Sequence, residues 1–508
     1  MVLNGQHNLY QQFAVQAERL GDKPALIDEQ QNTLTFRQLD EQSGRIANAL
    51  VKLGLTPGDR VTVQVQKSPM ALCLYLACLR VGGVFHPLNT GYQSSELAFF
   101  IDNAQPSIVV SDSAALTLFQ SLPGAPDEAN ILSLNADGSG SLTDLANTQS
   151  DTFDTVQRTA SDPAALLYSS GTTGTPKGID LCHGNLVSNA ATLTEHWEFS
   201  ESDVLLHALP IFHVHGLFVA IGCALMSGAC MRWLPTFDTQ TVINTLPQCS
   251  VMMGVPTYYT RLLASAAFTR EVGAERRLFI SGSAPLLAET FQDFEERTGH
   301  RIVERYGLTE TMINTSSPLH GERRAGTVGL PLADIEVRVV DDHGHAVGPG
   351  KTGQIEVRGP NVFSGYWRAP EKTQQDFTQD KFFRTGDNGM WDEDGYLSIV
   401  GRAKDMVITG GLNVYPREVE LLLDQLPGVM ESAVIGLAHA DFGEAVVAVV
   451  VPDGDQCVDE TLIRAELKSQ IAGFKVPKRV ISIDQLPRNT MGKVQKNQLR
   501  KQFSGLFA

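Results

Sequence analysis

The sequence predicts a large N-terminal α/β domain, with parallel sheets covered by helices plus an antiparallel β section, followed by a small α+β domain. Three observations carry this expectation. Period-2 and period-3.6 hydrophobic patterns alternate through the first half of the chain. From about 326 to 400 the pattern becomes short alternating runs punctuated by Gly344, Gly348 and Gly350. After Gly401 it changes again, to two helical patterns around strand-like runs. The 508 residues leave room for this, at about 100–200 residues per domain, and for a sizeable core.

Arg60 to Val65 alternates as a strand. Met70 to Leu79 is apolar on all sides and reads as a buried helix. Val84 to Leu88 reads as a strand stopped by Pro87. Ala136 to Ser141 is a Gly/Ser turn, and Ala164 to Leu167 is a buried strand leading into a loop. The most apolar stretch, Gly216 to Met231, has 16 residues. That is short of the ~20 a membrane span needs, so a buried helix is expected and no span. In the β section, Ile335, Val337 and Val339 alternate, as do Ile355 and Val357. Pro416 suits the first position of a helix carrying Val419, Leu422, Leu423 and Leu426 before Pro427. Ser432 to Ile435 and Ala445 to Val451 read as strands, and Ile463, Leu467 and Ile471 as a helix ended by Gly473. The expected division is 1–402 and 403–508, with the boundary between Gly401 and Asp405.

Composition narrows the function. The net charge is −17, which argues against duplex nucleic acid or an anionic membrane as the main partner. Hydrophobic residues at 43% and charged residues at 19% exclude wholesale disorder. From Ile471 onward, eight Lys/Arg stand against the single acid Asp484. This is either a solvated basic face or a surface that handles an anion. Seven cysteines form no CxxC pair, and no basic-then-apolar leader opens the chain, so a reducing, cytoplasmic location is expected.

The most informative segment is Tyr168-Ser-Ser-Gly-Thr-Thr-Gly-Thr-Pro-Lys-Gly178. Glycines let backbone N–H groups curl around phosphate oxygens, hydroxyls add donors and Lys177 adds charge. It is not a Walker A loop, because Pro176 stands where the second glycine would be.

Ser169 to Gly178 resembles the phosphate-binding signature of the adenylate-forming superfamily, which includes acyl-CoA synthetases, luciferases and peptide-synthetase adenylation domains. Further segments resemble its motifs in its order: Arg305-Tyr-Gly-Leu-Thr-Glu-Thr311, Thr385-Gly-Asp387, Gly401-Arg-Ala-Lys-Asp405, Ile408 to Glu420, and Pro487-Arg-Asn-Thr-Met-Gly-Lys493. The resemblance implies a nucleotide site formed by Ser169, Ser170, Gly171, Thr172, Thr173, Gly174, Thr175 and Lys177, with Gly282, Ser283, Ala284, Arg305, Tyr306 and Gly307 around the adenine. Asp387 and Arg402 would hold the ribose or phosphate. Glu310, with Thr173, would hold the Mg²⁺ carried by ATP, since a carboxylate suits that hard cation. Thr309 would touch the α-phosphate. Lys493 would bridge the acyl carboxylate and the phosphates, an electrostatic role. The reaction implied has two halves: a carboxylate attacks ATP to give acyl-AMP and pyrophosphate, then the coenzyme A thiol displaces AMP. Lys404 matches the hinge about which the C-terminal domain turns between them, and Gly410 and Gly411 match the thiol tunnel.

Within the superfamily, Pro210-Ile-Phe-His, Met253 to Arg261, Ile280 to Leu286, His439 to Glu444 and Leu486 to Asn497 are similar to malonyl-CoA synthetases. Arg261 stands among Tyr258, Tyr259, Leu262 and Leu263, where a buried guanidinium would need a carboxylate partner. It is expected to take the second carboxylate of malonate, and also of methylmalonate, with Ser281 and His213 adding hydrogen bonds. Two other readings stay open: Arg261 as a snorkelling surface arginine, and His213 as a gate. With Arg261 in solvent, an aryl or medium-chain acid, or a carrier-protein thiol in place of coenzyme A, would fit. A non-catalytic nucleotide sensor is the alternative of another class, and intact Glu310, Asp387 and Lys493 argue against it. Asp180 and Asn388 depart from the superfamily pattern, where apolar residues are usual.

Overall fold

The computed structural model describes residues 7–169, 176–402, 405–409, 412–439, 442–454, 458–471, 473–490 and 492–507. Two compact units emerge. One comprises Met1–Ala325, Pro331–Glu336 and Val357–Phe383; the other comprises Gly326–Leu330, Val337–Glu356 and Arg384–Ala508.

The first unit holds two mostly parallel sheets. In one, the strands run in the order Gly365–Tyr366, Lys177–Cys182, Pro163–Ser169, Val84–Pro87, Arg60–Gln64, Ile108–Ser111, Ile131–Ser133. Pairing is parallel from Pro163–Ser169 onward, whereas Lys177–Cys182 folds back antiparallel as a hairpin. In the other sheet, six parallel strands run from Val303–Leu308 through Leu278–Ser281, Val251–Gly254, Val204–His207 and Cys230–Trp233 to Pro24–Asp28. Met312–Ser316 and Thr33–Thr35 flank them antiparallel.

The buried helix after the first strand is present as Pro69–Val81. The Ser68 hydroxyl accepts from the Ala71 N–H, Pro69 sits in the first turn, and Gly82 ends the helix at φ 76°. Every residue from Ala71 to Val81 is buried, which explains the absence of a polar stripe. Arg80 is the charged exception: it donates to the carbonyls of Asp40 and Phe153 and lies over the Tyr10 ring.

The apolar stretch from Gly216 is helical only in part. A π-helical turn, His215–Ala220, leads into the helix Ile221–Ser227. Gly228, at φ 78°, ends it, and Cys230–Trp233 is a strand. Apolarity alone could not separate a buried helix from a buried parallel strand.

The second unit holds the antiparallel section as a four-stranded sheet, Glu336–Val340, Gly353–Arg358, Phe383–Trp391 and Leu397–Arg402. Ile355 and Val357 are buried as expected, but Val339 and Val340 are both buried while Val337 is only half-buried. The C-terminal α+β part follows, with the long hairpin of Val429–His439 and Gly443–Pro452 at its centre. The helix opened by Pro416 ends at Leu423, short of Leu426, and turns Val419 and Leu423 into the core.

Candidate active site

Chemistry-bearing residues of the first unit gather at the C-terminal ends of parallel strands, where open α/β sheets place ligands. Ser169 and Lys177 form the closing pair of the hairpin that carries the glycine-rich segment. Residues 170–175, which include the expected donors Ser170, Gly171, Thr172, Thr173, Gly174 and Thr175, lie outside the described residues. The Ser169 hydroxyl donates to the Glu310 carboxylate at 3.2 Å, joining the first expected nucleotide motif to the second. Lys177 lies 5.3 Å over the Tyr366 ring. Burial lowers its pKa, Lys372 adds to this, and Asp376 and Glu310 oppose it.

Glu310 is buried, in the turn between Val303–Leu308 and Met312–Ser316, and its carbonyl accepts from Phe363. The turn depends on Gly307, where an added Cβ would lie 1.7 Å from the Met312 carbonyl oxygen. Thr309 is half-buried beside Glu310, and Tyr306 is buried in the strand. The carboxylate and its hydroxyl neighbour are a donor set of the kind Mg²⁺ with a nucleotide takes.

A second cluster follows the strand Leu278–Ser281. Gly282 lets the Arg305 guanidinium lie against its backbone; a Cβ there would stand 2.3 Å from Nε. Ser283 has φ 72°, its hydroxyl is 3.5 Å from Arg305 Nη2 and 3.4 Å from His215 Nδ1. Ala284 follows, half-buried. Arg305 is only 6% exposed, and among the described residues no carboxylate pairs with it. Burial pulls its pKa down to about 10. Its Nε, the His215 Nε2 and the Ser281 hydroxyl are all buried without a partner among the described residues. Such orphans are costly unless a ligand or water satisfies them. Burial, followed by Arg305, His207 and His213, also pushes the His215 pKa well down, so this imidazole is neutral.

The structure gives Arg261 no buried setting. In the helix Pro256–Leu263 the inward face is Tyr259 and Leu262, both fully buried, and Arg261 falls on the exposed side beside Tyr258. The apolar neighbours in sequence are neighbours on the other face of the helix. His213 sits half-buried against Phe212, and burial lowers its pKa to about 4.

In the second unit, Asp387 and Arg402 face each other across adjacent strands, with Arg402 Nε 3.1 Å from the carboxylate. The Thr385 hydroxyl donates to the Ile355 carbonyl and accepts from the Asp387 N–H, fixing the turn. Lys493 closes a tight loop: Asn489 N–H donates to the Lys493 carbonyl and Lys493 N–H to the Asn489 side chain, both at 2.9 Å. Arg488 and Lys496, on either side, are tied to Glu431 and Glu420. Lys404, Gly410 and Gly411 lie outside the described residues.

The model of the AMP-binding enzyme family matches residues 13–367, and that of the AMP-binding enzyme C-terminal domain matches 418–493. The chain belongs to the AMP-binding enzyme family. A crystal structure of ATP-bound MatB from Rhodopseudomonas palustris is similar at TM-score 0.96 and 49% identity, covering 99% of this chain and 100% of that one. A malonate–CoA ligase of Arabidopsis thaliana is 35% identical over 480 residues, 88% of this chain and 78% of its own. An indoleacetate–CoA ligase of Aromatoleum aromaticum is 33% identical, with 92% and 93% covered. The nucleotide residues are expectations from the family's motifs. Those motifs did not single out His215, nor mark Arg305 as a buried cation with no carboxylate partner among the described residues, since burial of one arginine is a tertiary property.

Proposed function

We propose that the chain is a malonate–CoA ligase that takes malonate, ATP with Mg²⁺, and coenzyme A. A malonate carboxylate oxygen attacks the α-phosphorus of ATP, forming malonyl-AMP as the bond to pyrophosphate breaks. The coenzyme A thiolate then attacks the acyl carbon, the thioester forms, and AMP leaves with the C–O bond electrons. The observation that carries the malonate reading is the buried guanidinium of Arg305, which has no carboxylate partner among the described residues. A dicarboxylate supplies that anion at its far end, with the Ser283 hydroxyl beside it. The neutral His215 completes an acid pocket that donates hydrogen bonds without adding a second buried cation. Likeness to the Arabidopsis malonate–CoA ligase supports the same substrate. Arg305 thus takes the role that the sequence alone gave to Arg261, which stands on the exposed face of its helix.

Glu310 and Ser169 hold the Mg²⁺ and phosphates, Asp387 and Arg402 the ribose, and Lys493 supplies the cation as charge builds at phosphorus. The part of the chain after residue 402 alternates between the two half-reactions, with Lys404 as the pivot and Gly410-Gly411 opening the thiol path. Methylmalonate is accepted to the extent that space at the substrate's C2 allows, a matter of about 1–3 kcal/mol. The six described cysteines are free thiols, which suits a cytoplasmic setting. Among the described residues no helix is long and apolar enough to cross a membrane.

A panel of carboxylates with Mg·ATP and coenzyme A tests the reading. Malonate is expected to exceed acetate, butyrate, benzoate and indoleacetate in kcat/KM by about a hundredfold or more, because a site built for a charged group rejects analogues lacking it. A monocarboxylate at the top of the panel would overturn the assignment.

A further inference from the structure

Lys67 is a buried amine that none of the expected chemistry uses. Its Nζ reaches the Nδ1 of His207 at 2.7 Å, the carbonyl of His207 at 2.8 Å and that of Leu234 at 2.7 Å. It also lies 4.5 Å over the Trp233 ring, on which the His207 imidazole stacks. Lys67 follows a strand of the first parallel sheet, while His207 and Leu234 belong to the end of the second, so the contact staples the two sheets together at their C-terminal edges.

The other imidazole nitrogen fixes what this pair does. His207 Nε2 lies 2.9 Å from the Gly216 carbonyl. A carbonyl only accepts, so Nε2 carries the proton, and in a neutral ring Nδ1 is then the acceptor. Three acceptors surround Nζ, so Lys67 is the donor to Nδ1, although burial pulls the pKa of its amine well down. Gly216 lies within the π-helical turn His215–Ala220, and the next backbone upstream presses on it: an added Cβ would stand 2.1 Å from the Pro210 carbonyl oxygen. The same Gly216 carbonyl also closes the i→i+5 bond from Ile221. His215, the first residue of that turn, faces Ser283 and through it Arg305.

We propose that Lys67 and His207 are positioning residues for acid recognition: by fixing the Nε2–H form of His207 they hold the π-helical turn, and the turn holds His215 against Ser283 and Arg305. This inference rests on the acid pocket proposed above. It predicts an effect on the acid and not on the nucleotide, which a merely structural core pair would not give.

The test compares Lys67→Met, His207→Phe and His207→Gln. Phenylalanine keeps the ring on Trp233 and loses both hydrogen bonds. Glutamine can still accept from Lys67 and donate to Gly216. Lys67→Met and His207→Phe are expected to raise KM for malonate about tenfold or more while KM for Mg·ATP stays within about twofold, and His207→Gln to restore most of the loss. If acid and ATP KM values rise together, or glutamine rescues nothing, the positioning role is wrong. Histidine ¹⁵N spectra of the wild-type chain decide the case even where a variant fails to fold: His207 is expected as the Nε2–H tautomer, and Nδ1–H or imidazolium would overturn the proposal. If the wild type prefers another acid, the malonate reading falls separately, and the same KM comparison is made with that acid.

Discussion

Arg305 and Arg261 show how far a residue can be read before it is placed. Both have aromatic and apolar neighbours in sequence, but one lies 6% exposed against the backbone of Gly282 and the other points out of its helix. Only the structure distinguishes them, because exposure depends on which side of the helix Pro256–Leu263, or of the strand Val303–Leu308, faces the core. Burial pulls the Arg305 pKa down to about 10, still far enough above neutrality for the guanidinium to stay a cation. Asp180, the departure noted in the sequence, is a residue with the opposite habit. Burial raises its pKa to about 6, above the unfolded value of 3.8. The folded state therefore binds this proton more tightly, and the stabilisation present below pH 3.8 is lost as pH rises through 6. Asp180→Asn is expected to stabilise the chain at pH 8 by about 1–3 kcal/mol and to flatten that part of the pH profile. Denaturation curves at pH 4 and pH 8 check it, and an equal effect at both would contradict the assigned cause.

Among the elements, those with a strong local signal were legible. The buried helix Pro69–Val81 has its Ser68 cap, its early proline and its terminal glycine in plain order. The hairpin of Pro163–Ser169 and Lys177–Cys182 was legible on one side only: the apolar run marked the first strand, while Lys177, read as a phosphate donor, proved also to begin the second. The π-helical turn was not legible, since it depends on an upstream carbonyl pressing on Gly216 and on an imidazole from another strand. The loop around Lys493 is an element whose shape is set by its own sequence, through the two Asn489 bonds. Lys493→Ala is expected to slow adenylation about a thousandfold and to leave thioester formation from supplied malonyl-AMP within about threefold. Equal losses in pyrophosphate exchange and in thioester formation would contradict a role confined to the first half-reaction.

At the scale of the whole molecule, parallel sheets followed by an antiparallel section and a small α+β part were foreseeable from pattern changes near residues 326 and 401. The two long sheets of the first unit were foreseeable only as a class. Their strand orders bring Arg60–Gln64 beside Val84–Pro87 and Val204–His207 beside Cys230–Trp233 through parallel crossovers, and one periodic run does not reveal which other run it will pair with. Those orders decide function here. They put Ser169 within reach of Glu310 and Ser283 within reach of Arg305, pairs separated by 141 and 22 residues along the chain. The proposed nucleotide half rests on motifs because the glycines, hydroxyls and lysine that would hold phosphates stand close together in sequence. The proposed acid half did not show in the sequence, because its residues come from three different strands and turns.

In the proposed site, a buried guanidinium with no carboxylate partner among the described residues selects a second carboxylate. The most direct measurement is the ratio of kcat/KM for malonate to that for acetate in the wild-type chain, in Arg305→Met and in Arg261→Met. The account predicts that Arg305→Met lowers the ratio by about a hundredfold or more, and that Arg261→Met lowers it much less. A ratio that survives the loss of Arg305, or collapses only with the loss of Arg261, would contradict it.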